Sequence, residues 1–436
     1  MVQFVIRLRG CLAIAALLAL LAMPAAAVAK KSPITGFGFI SSFGVPGAGP
    51  GQFEGPYGIG IDPAGNIYVT DAGQQIRRVE KFSPAGKFLT QWGSYGSENG
   101  QFVLPFGVAA GAGGTIYVTD GALQRVQLFS PTGTFQSKFG APGTSDREFG
   151  LATGIAIDAT GDVYVDDIGN ARIDKFDPTG KLITKWGSPG GGDGQFGAFT
   201  NYTFGFLALD ASGDVFVTDS PNNRVEKFDS SGAYLGQWGS YGKSNGQFQD
   251  PKGIAVDPSG DVYVADEGGN RIEKFNSSGS FLAKFGSYGN ANGELNGPNG
   301  IATNSAGDVF VVDGLNHRID KFGPISLPNF LAGVSHDAKL GIASLTVNLS
   351  VPGDLQVSGR WISKPQLLQR TAGTSAVVNR PGPVTVKIRA KGRAERTLLR
   401  RGWVRVKIKV SFTPLGGTPT VQSKTLRLVR KPTGHS

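Results

Sequence analysis

The chain has 436 residues, 40% of them hydrophobic, with 66 glycines, 25 prolines, one cysteine and a net charge of +10. Glycine at roughly twice its usual share, without a triplet period, points to turn-rich β-structure and away from collagen. A lone Cys11 excludes disulfides and thiolate metal sites such as zinc fingers and RING domains.

The first segment reads as an export signal. Arg7 and Arg9 form a basic start, Cys11 to Met23 is apolar, and Ala25-Ala26-Ala27 and Ala27-Val28-Ala29 offer small-x-small cleavage sites. Residues 1–29 are expected to be a signal peptide cut after Ala27 or Ala29; the alternative is an uncleaved anchor. Cys11 opens the apolar run instead of ending it, the wrong place for lipid attachment. No later stretch is long and apolar enough to span a bilayer. The expected location is secreted, or at the cell surface or envelope.

From there the chain repeats itself. Gly51-Gln52-Phe53 recurs as Gly100-Gln101-Phe102, Gly194-Gln195-Phe196 and Gly246-Gln247-Phe248, with weaker copies at Arg147-Glu148-Phe149 and Gly293-Glu294-Leu295. The spacings are 49, 47, 47, 52 and 47 residues. The fifth repeat holds four strand signals: Gly253 to Asp257, Asp261 to Asp266, Arg271 to Phe275 and Phe281 to Gly286. Gly, Pro, Asn and Ser lie between them. Four antiparallel strands per repeat make one propeller blade, and six repeats make six blades. The sixth repeat lacks its fourth strand, and Phe39 to Gly44 resembles one. Residues 37–44 are therefore expected to complete blade six and cover its edge.

Gly253-Ile254-Ala255-Val256-Asp257, Val262-Tyr263-Val264-Ala265-Asp266 and Asn270-Arg271-Ile272-Glu273-Lys274-Phe275 resemble the NHL-repeat signature, which extends over roughly residues 37–324. The resemblance implies a six-bladed propeller with open axial faces and no single activity. Members bind protein or RNA, some are extracellular sensor domains, and related propellers are lyases or lactonases. The ubiquitin ligases of the family take their activity from a RING, which this chain lacks.

Each repeat ends its second strand in an aspartate (Asp71, Asp120, Asp167, Asp219, Asp266, Asp313) and opens its third with an arginine (Arg78, Arg125, Arg172, Arg224, Arg271, Arg318). A feature repeated six times serves the repeat; aspartate can bond the turn and arginine can pair with it. Asp158 and Asp257 open hairpin turns that lack the ligand-rich spacing of a calcium loop. Only His317 of three histidines falls in the propeller, too few for a histidine-held zinc or a visible catalytic triad. Departures from the repeat are more informative. The fourth repeat carries five extra residues, and Phe206 stands where the others have Gly58, Gly107, Gly154, Gly253 and Gly300. Phe199, Tyr202, Phe204 and Phe206 are candidates for a stacking surface, or fill a gap between blades. Asp166 replaces a threonine, alanine or valine of the other repeats, and His317 stands at the Asn270 position. Both are candidate ligand contacts, or surface drift.

Beyond Pro324 the repeats stop. Residues 325–339 read as a linker and 340–436 as a basic, immunoglobulin-like β-sandwich. Val384 to Arg389 and Val404 to Val410 alternate apolar and basic residues. The propeller span carries 22 basic and 30 acidic residues, the C-terminal span 19 and 3. Lys387, Arg389, Arg405, Lys407 and Lys409 are candidate contacts to an anionic envelope polymer or lipid headgroups; docking onto the acidic propeller and a merely solvated face are the alternatives. The sequence thus predicts an all-β protein: a six-bladed propeller (30–324) closed by an N-terminal strand, and a C-terminal sandwich. The functional expectation is a binding or scaffold protein that recognises a protein, peptide or glycan on a propeller face. The alternative is a lyase or hydrolase, streptogramin-lyase-like or lactonase-like, acting at the axial channel. No cofactor, metal or nucleic acid is expected.

Overall fold

In the computed structural model the repeats form six four-stranded sheets. The structure describes residues 34–74, 76–198, 205–327, 331–349, 353–359, 362, 366–367, 375–378, 382–414 and 419–430; the expected signal peptide lies outside them. Blade five is typical, with strands Pro251–Val256, Val262–Asp266, Arg271–Phe275 and Phe281–Phe285. The second strand is buried throughout in all six blades. Fourth strands, such as Tyr234–Trp238, alternate half-buried and exposed residues, so they form the rim. β-Branched and aromatic residues fill both faces of the inner strands because each blade packs against a neighbour on either side.

The Gly-Gln-Phe motif supplies one ring of this packing. Phe53 lies 5.7 Å from Phe82, Phe102 lies 5.6 Å from Phe129, and Phe248 lies 5.7 Å from Phe275. The glycine that ends each fourth strand is needed there. Gly93 has φ +103°, and a Cβ on it would meet the Phe102 ring at 2.8 Å. First strands surround the axis, where Ile59, Val108, Ile155, Leu207, Ile254 and Ile301 line a channel of about 270 Å³.

Blade six takes its outermost strand from the start of the described chain. Ile34–Phe43 pairs antiparallel with Arg318–Leu327, with Phe39 opposite Phe322 and Phe43 opposite Ile319. Phe43 also packs 4.8 Å from Phe82 of blade one, and Phe37 5.0 Å from Phe285 of blade five. One strand thereby covers the blade-six edge and touches both neighbouring blades.

The span 325–339 is not a plain linker. Arg318–Leu327 continues past Pro324 because the closing strand keeps pairing with it as far as Ile34 opposite Leu327. Leu331–Asp337 is already a strand of the C-terminal domain, paired with Ile342–Leu349. That domain has two four-stranded sheets. One contains Leu331–Asp337, Ile342–Leu349, Gly382–Arg389 and Gln366–Leu367; the other contains Ser375–Val378, Gly353–Gly359, Trp403–Pro414 and Thr420–Val429. Leu345, Val386, Val357, Ile408 and Leu428 form a core shared by both sheets, as a sandwich requires. A helix, Arg393–Arg401, links the two sheets and buries Ala394 and Leu398 in that core. The strand alternation did not announce this helix.

Candidate functional site

Loops entering the first strands and loops leaving the second strands share one propeller face. The repeated charges are consumed in building it. Asp71 Oδ1 accepts from the Gly55 and Glu54 amides at 2.8 and 3.1 Å, and the Arg78 guanidinium approaches its other oxygen at 3.3 Å. Arg78 also donates to the carbonyls of Ala48 and Gln52 at 2.9 and 2.6 Å. Blade six repeats this: Asp313 accepts from Asn296 N at 2.6 Å and pairs with Arg318 at 3.0 Å. Asp257 Oδ1 accepts from Ser259 N and Asp261 N at 2.8 and 3.0 Å, so the paired aspartates close their own hairpin turn.

A second repeated device stitches blades together near the axis. Thr70 accepts from Gly58 N at 2.8 Å and donates to Phe106 O of the next blade at 2.6 Å. Thr119 and Thr218 do the same towards Thr153 O and Lys252 O. Blade three has Asp166 at this position, and the structure buries it, 5% exposed, instead of leaving it on the surface. Burial pushes its carboxyl well above the usual range, and Asp167 and Asp219 push it further. Thr153 takes over the stitch by donating to Gly205 O at 3.0 Å. A Cβ at Gly205 would come within 2.4 Å of Asp166 Oδ2, so the acid and the glycine are matched.

Phe206 is buried beside the axis, its ring stacked 6.1 Å from Tyr57 of the opposite blade, which in turn lies 4.9 Å from Phe106. The three rings narrow the channel mouth, and Phe206 presents little free surface. Phe199, Tyr202 and Phe204 lie outside the described residues. The first strand that follows is cut to Leu207–Leu209, where other blades have six residues. His317 caps the turn Gly314–Asn316 in the left-handed region, φ 54°. At the same position Asn223 and Asn270 accept from Asp250 N and Gly297 N of the following blade, so this is a blade-to-blade contact point. The structure thus sets Asp166 against Gly205, the residue before Phe206, and His317 at the blade-six turn.

It assembles another group instead. The residue just before the first-strand glycine position, at the mouth, differs in all six blades: Tyr57, Phe106, Thr153, Gly205, Lys252 and Asn299. Between blades five and six these residues open onto a recess of about 490 Å³ lined by Tyr57, Asp250, Lys252, Glu267, Asn296 and Asn299, with Asn270 and Leu315 at its side. The Lys252 ammonium, 1% exposed, lies 3.0 Å from Asp250 Oδ1 and 3.6 Å from Glu267 Oε2. Burial raises both carboxyls above their ordinary values, with Lys252 pulling the other way. The Tyr57 hydroxyl is held well above its usual value by burial and then by the two acids. Asp250 adopts φ +77°, which a non-glycine residue rarely takes. The amide of Asp250 donates to Asn223 Oδ1 and its carbonyl accepts from Glu267 N at 3.1 Å, holding that conformation in place. Among the described residues no group of three or more His, Cys, Asp or Glu side chains is arranged to hold a metal ion. The signal for this recess was present in the alignment of repeats, one residue before the glycine position that drew attention to Phe206.

The five basic candidates of the sandwich divide between its two sheets. Lys387 and Arg389 belong to Gly382–Arg389, while Arg405, Lys407 and Lys409 project from Trp403–Pro414 on the other. They do not form one ladder, because successive strands of the chain enter different sheets.

Comparison with known proteins agrees with this architecture. The NHL repeat profile matches residues 248–275 and 295–322, the two blades that flank the recess. A protein of unknown function from Bacteroides thetaiotaomicron is similar in structure, with a TM-score of 0.53, 16% identity, and coverage of 67% of this chain and 77% of that one. An auxiliary nutrient binding protein from the same organism gives a TM-score of 0.49 at 12% identity, over 67% and 77% of the two chains. Virginiamycin B lyase from Staphylococcus aureus gives 0.42 at 17% identity, over 67% and 92%. At 16% identity the likeness to the first of these is one of fold alone. No curated protein matches the sequence.

Proposed function

We propose that this NHL-repeat six-bladed propeller is an exported binding protein that holds a small, hydroxyl-rich ligand such as a glycan unit in the recess between blades five and six. One observation carries the reading. A buried lysine neutralised by two carboxylates shares a recess with three asparagines and a tyrosine, where the rest of the face spends its polar groups on its own backbone. Such a site offers many donors and acceptors and little net charge, which suits a neutral polyol. The signal-like segment at residues 1–29 supports export. Among the described residues no helix is long and apolar enough to cross a membrane.

A thermal-shift screen of the mature protein against oligosaccharides tests the reading, since a ligand that binds only the folded state raises the melting temperature. At least one saccharide is expected to do so, and Asn299→Ala and Glu267→Gln to abolish the shift, each measured against that variant's own unliganded melting temperature. A screen with no hit, or hits indifferent to both substitutions, overturns it. A second reading draws on the same acids: two raised carboxyls beside a tyrosine are groups that can move protons, as a lyase or hydrolase needs. Turnover of a lactone or a streptogramin, lost in Glu267→Gln, would replace binding by catalysis.

A further inference from the structure

The strands of the sandwich define a free end. Leu331–Asp337 leaves the propeller and runs away from it, so the turn at Leu340, the helix Arg393–Arg401 and the start of Trp403–Pro414 lie together at the far end. Direct contacts tie them. A Cβ at Gly341 would meet Leu398 Cδ2 at 3.0 Å and Arg430 Cβ at 3.6 Å, and Arg430 N donates to Gly402 O at 2.7 Å.

This end exposes large apolar side chains: Leu340 at 64%, Leu399 at 56% and Trp403 at 38%. Isolated exposed apolar side chains need no explanation, but three at one tip do. Around them stand cations. Helix residues Arg396, Arg400 and Arg401 are exposed, and Arg427 lies 5.0 Å over the Trp403 ring. Among the described residues no ion pair neutralises Arg396, Arg400 or Arg401, and Glu395 is the one acid of the helix. Both basic strands also deliver charge to this end. Gly382–Arg389 finishes there at Arg389, and Trp403–Pro414 begins there with Arg405 two residues on. Of the five sequence candidates, Arg389 and Arg405 thus reach this end from the two sheets.

An apolar tip inside a cationic collar matches the cross-section of a bilayer surface, with acyl chains beneath anionic headgroups. A soluble polyanion complements the collar and leaves the leucines and tryptophan without a role. We propose that the far end of the sandwich docks on an anionic lipid surface, with Leu340, Leu399 and Trp403 entering the interface and the arginines pairing with headgroups.

The test uses the chain lacking residues 1–29 and sedimentation with phosphatidylcholine vesicles, with or without phosphatidylglycerol. Binding is expected only with phosphatidylglycerol, and is expected to weaken as salt rises. Leu399→Ser with Trp403→Ser is expected to weaken vesicle binding tenfold or more while leaving binding to soluble polyphosphate unchanged. Arg396→Gln and Arg400→Gln are each expected to cost about fivefold. Failure to sediment with anionic vesicles at low salt overturns the proposal. Undiminished vesicle binding by the leucine–tryptophan variant also overturns it, and would mark the collar as a site for a charged polymer. All four residues are exposed, so an unchanged melting temperature is the control for folding.

Discussion

Propeller and sandwich handle charge in opposite ways. In the propeller the aspartates of the repeat and five of its six arginines are buried and pair with each other and with loop carbonyls; Arg271 reaches Asp266 at 3.0 Å and Glu273 at 3.0 Å. In the sandwich the cations stand on outer faces, as the exposed Arg405, Lys407 and Lys409 do beside the buried Val406 and Ile408. Charge of the first kind fixes loops and is unavailable to a partner. Charge of the second kind contributes little to the fold and is free to act outside it. The same side chain, arginine, therefore carries different expectations in the two regions.

The largest effect expected to expose this contrast is on closure. Deleting residues 34–43 removes the outer strand of blade six and the Phe43–Phe82 contact with blade one, leaving an open edge. The propeller transition is expected to fall by more than about 10 °C in calorimetry, and the sandwich, whose core includes Ile325 opposite Gly36 of the deleted strand, by less. A deletion that melts like the wild type would mean that the ring does not depend on this strand. Next comes Asp266→Ala, which takes the acceptor from Gln249 N and strands a buried Arg271. A loss of about 3–5 kcal/mol is expected on denaturant unfolding. A loss below about 1 kcal/mol would show that the repeated pairs are no more structural than surface ones.

Repetition made most of the fold legible. Six copies of one strand pattern gave the blades, and a missing fourth strand with a spare one upstream gave the closure. The sandwich was legible as alternation, but alternation does not say which sheet a strand joins. Lys387 and Lys407 therefore read as one ladder until the helix Arg393–Arg401 separated them. The recess was the least legible part. Lys252 in sequence is one more polar residue before a glycine; its meaning comes from burial at 1% exposure and from Asp250 and Glu267 folding back towards it. Asp166 likewise read as a ligand contact or surface drift, because the threonine it replaces stitches blades through a contact with the next repeat, invisible within one.

A pH series probes the same contrast with a smaller effect. Two residues after the repeated arginine, the third strand buries an acid in five blades. Burial outweighs the arginine and pushes Glu80 and Glu226 up to about 7, Asp320 to about 7 and Asp174 to about 6. Raised in the folded state, these groups hold protons that the unfolded chain releases near pH 4 to 5. Their favourable contribution is complete below that range and is lost as pH climbs through 6 to 7. The propeller's melting temperature is expected to fall between pH 5 and pH 8, by the equivalent of about 1–3 kcal/mol per group at most. Glu80→Gln should flatten part of that slope, and a profile that rises over the range would contradict the assignment.

The smallest effect expected is the counterpart in the sandwich. Lys407 projects from a strand whose inward residues, Val406 and Ile408, do the packing, and no ion pair among the described residues holds its ammonium. Lys407→Ala removes no partner and opens no cavity, so unfolding free energy is expected to change by less than about 0.5 kcal/mol. Removing like-charged repulsion from Arg405 and Lys409, two residues away on the same face, offsets what the lost side-chain packing costs. The change should therefore shrink further as salt rises and screens the repulsion. A loss comparable to that of Asp266→Ala would mean that the basic face is built into the fold, and the division between structural and available charge would no longer hold.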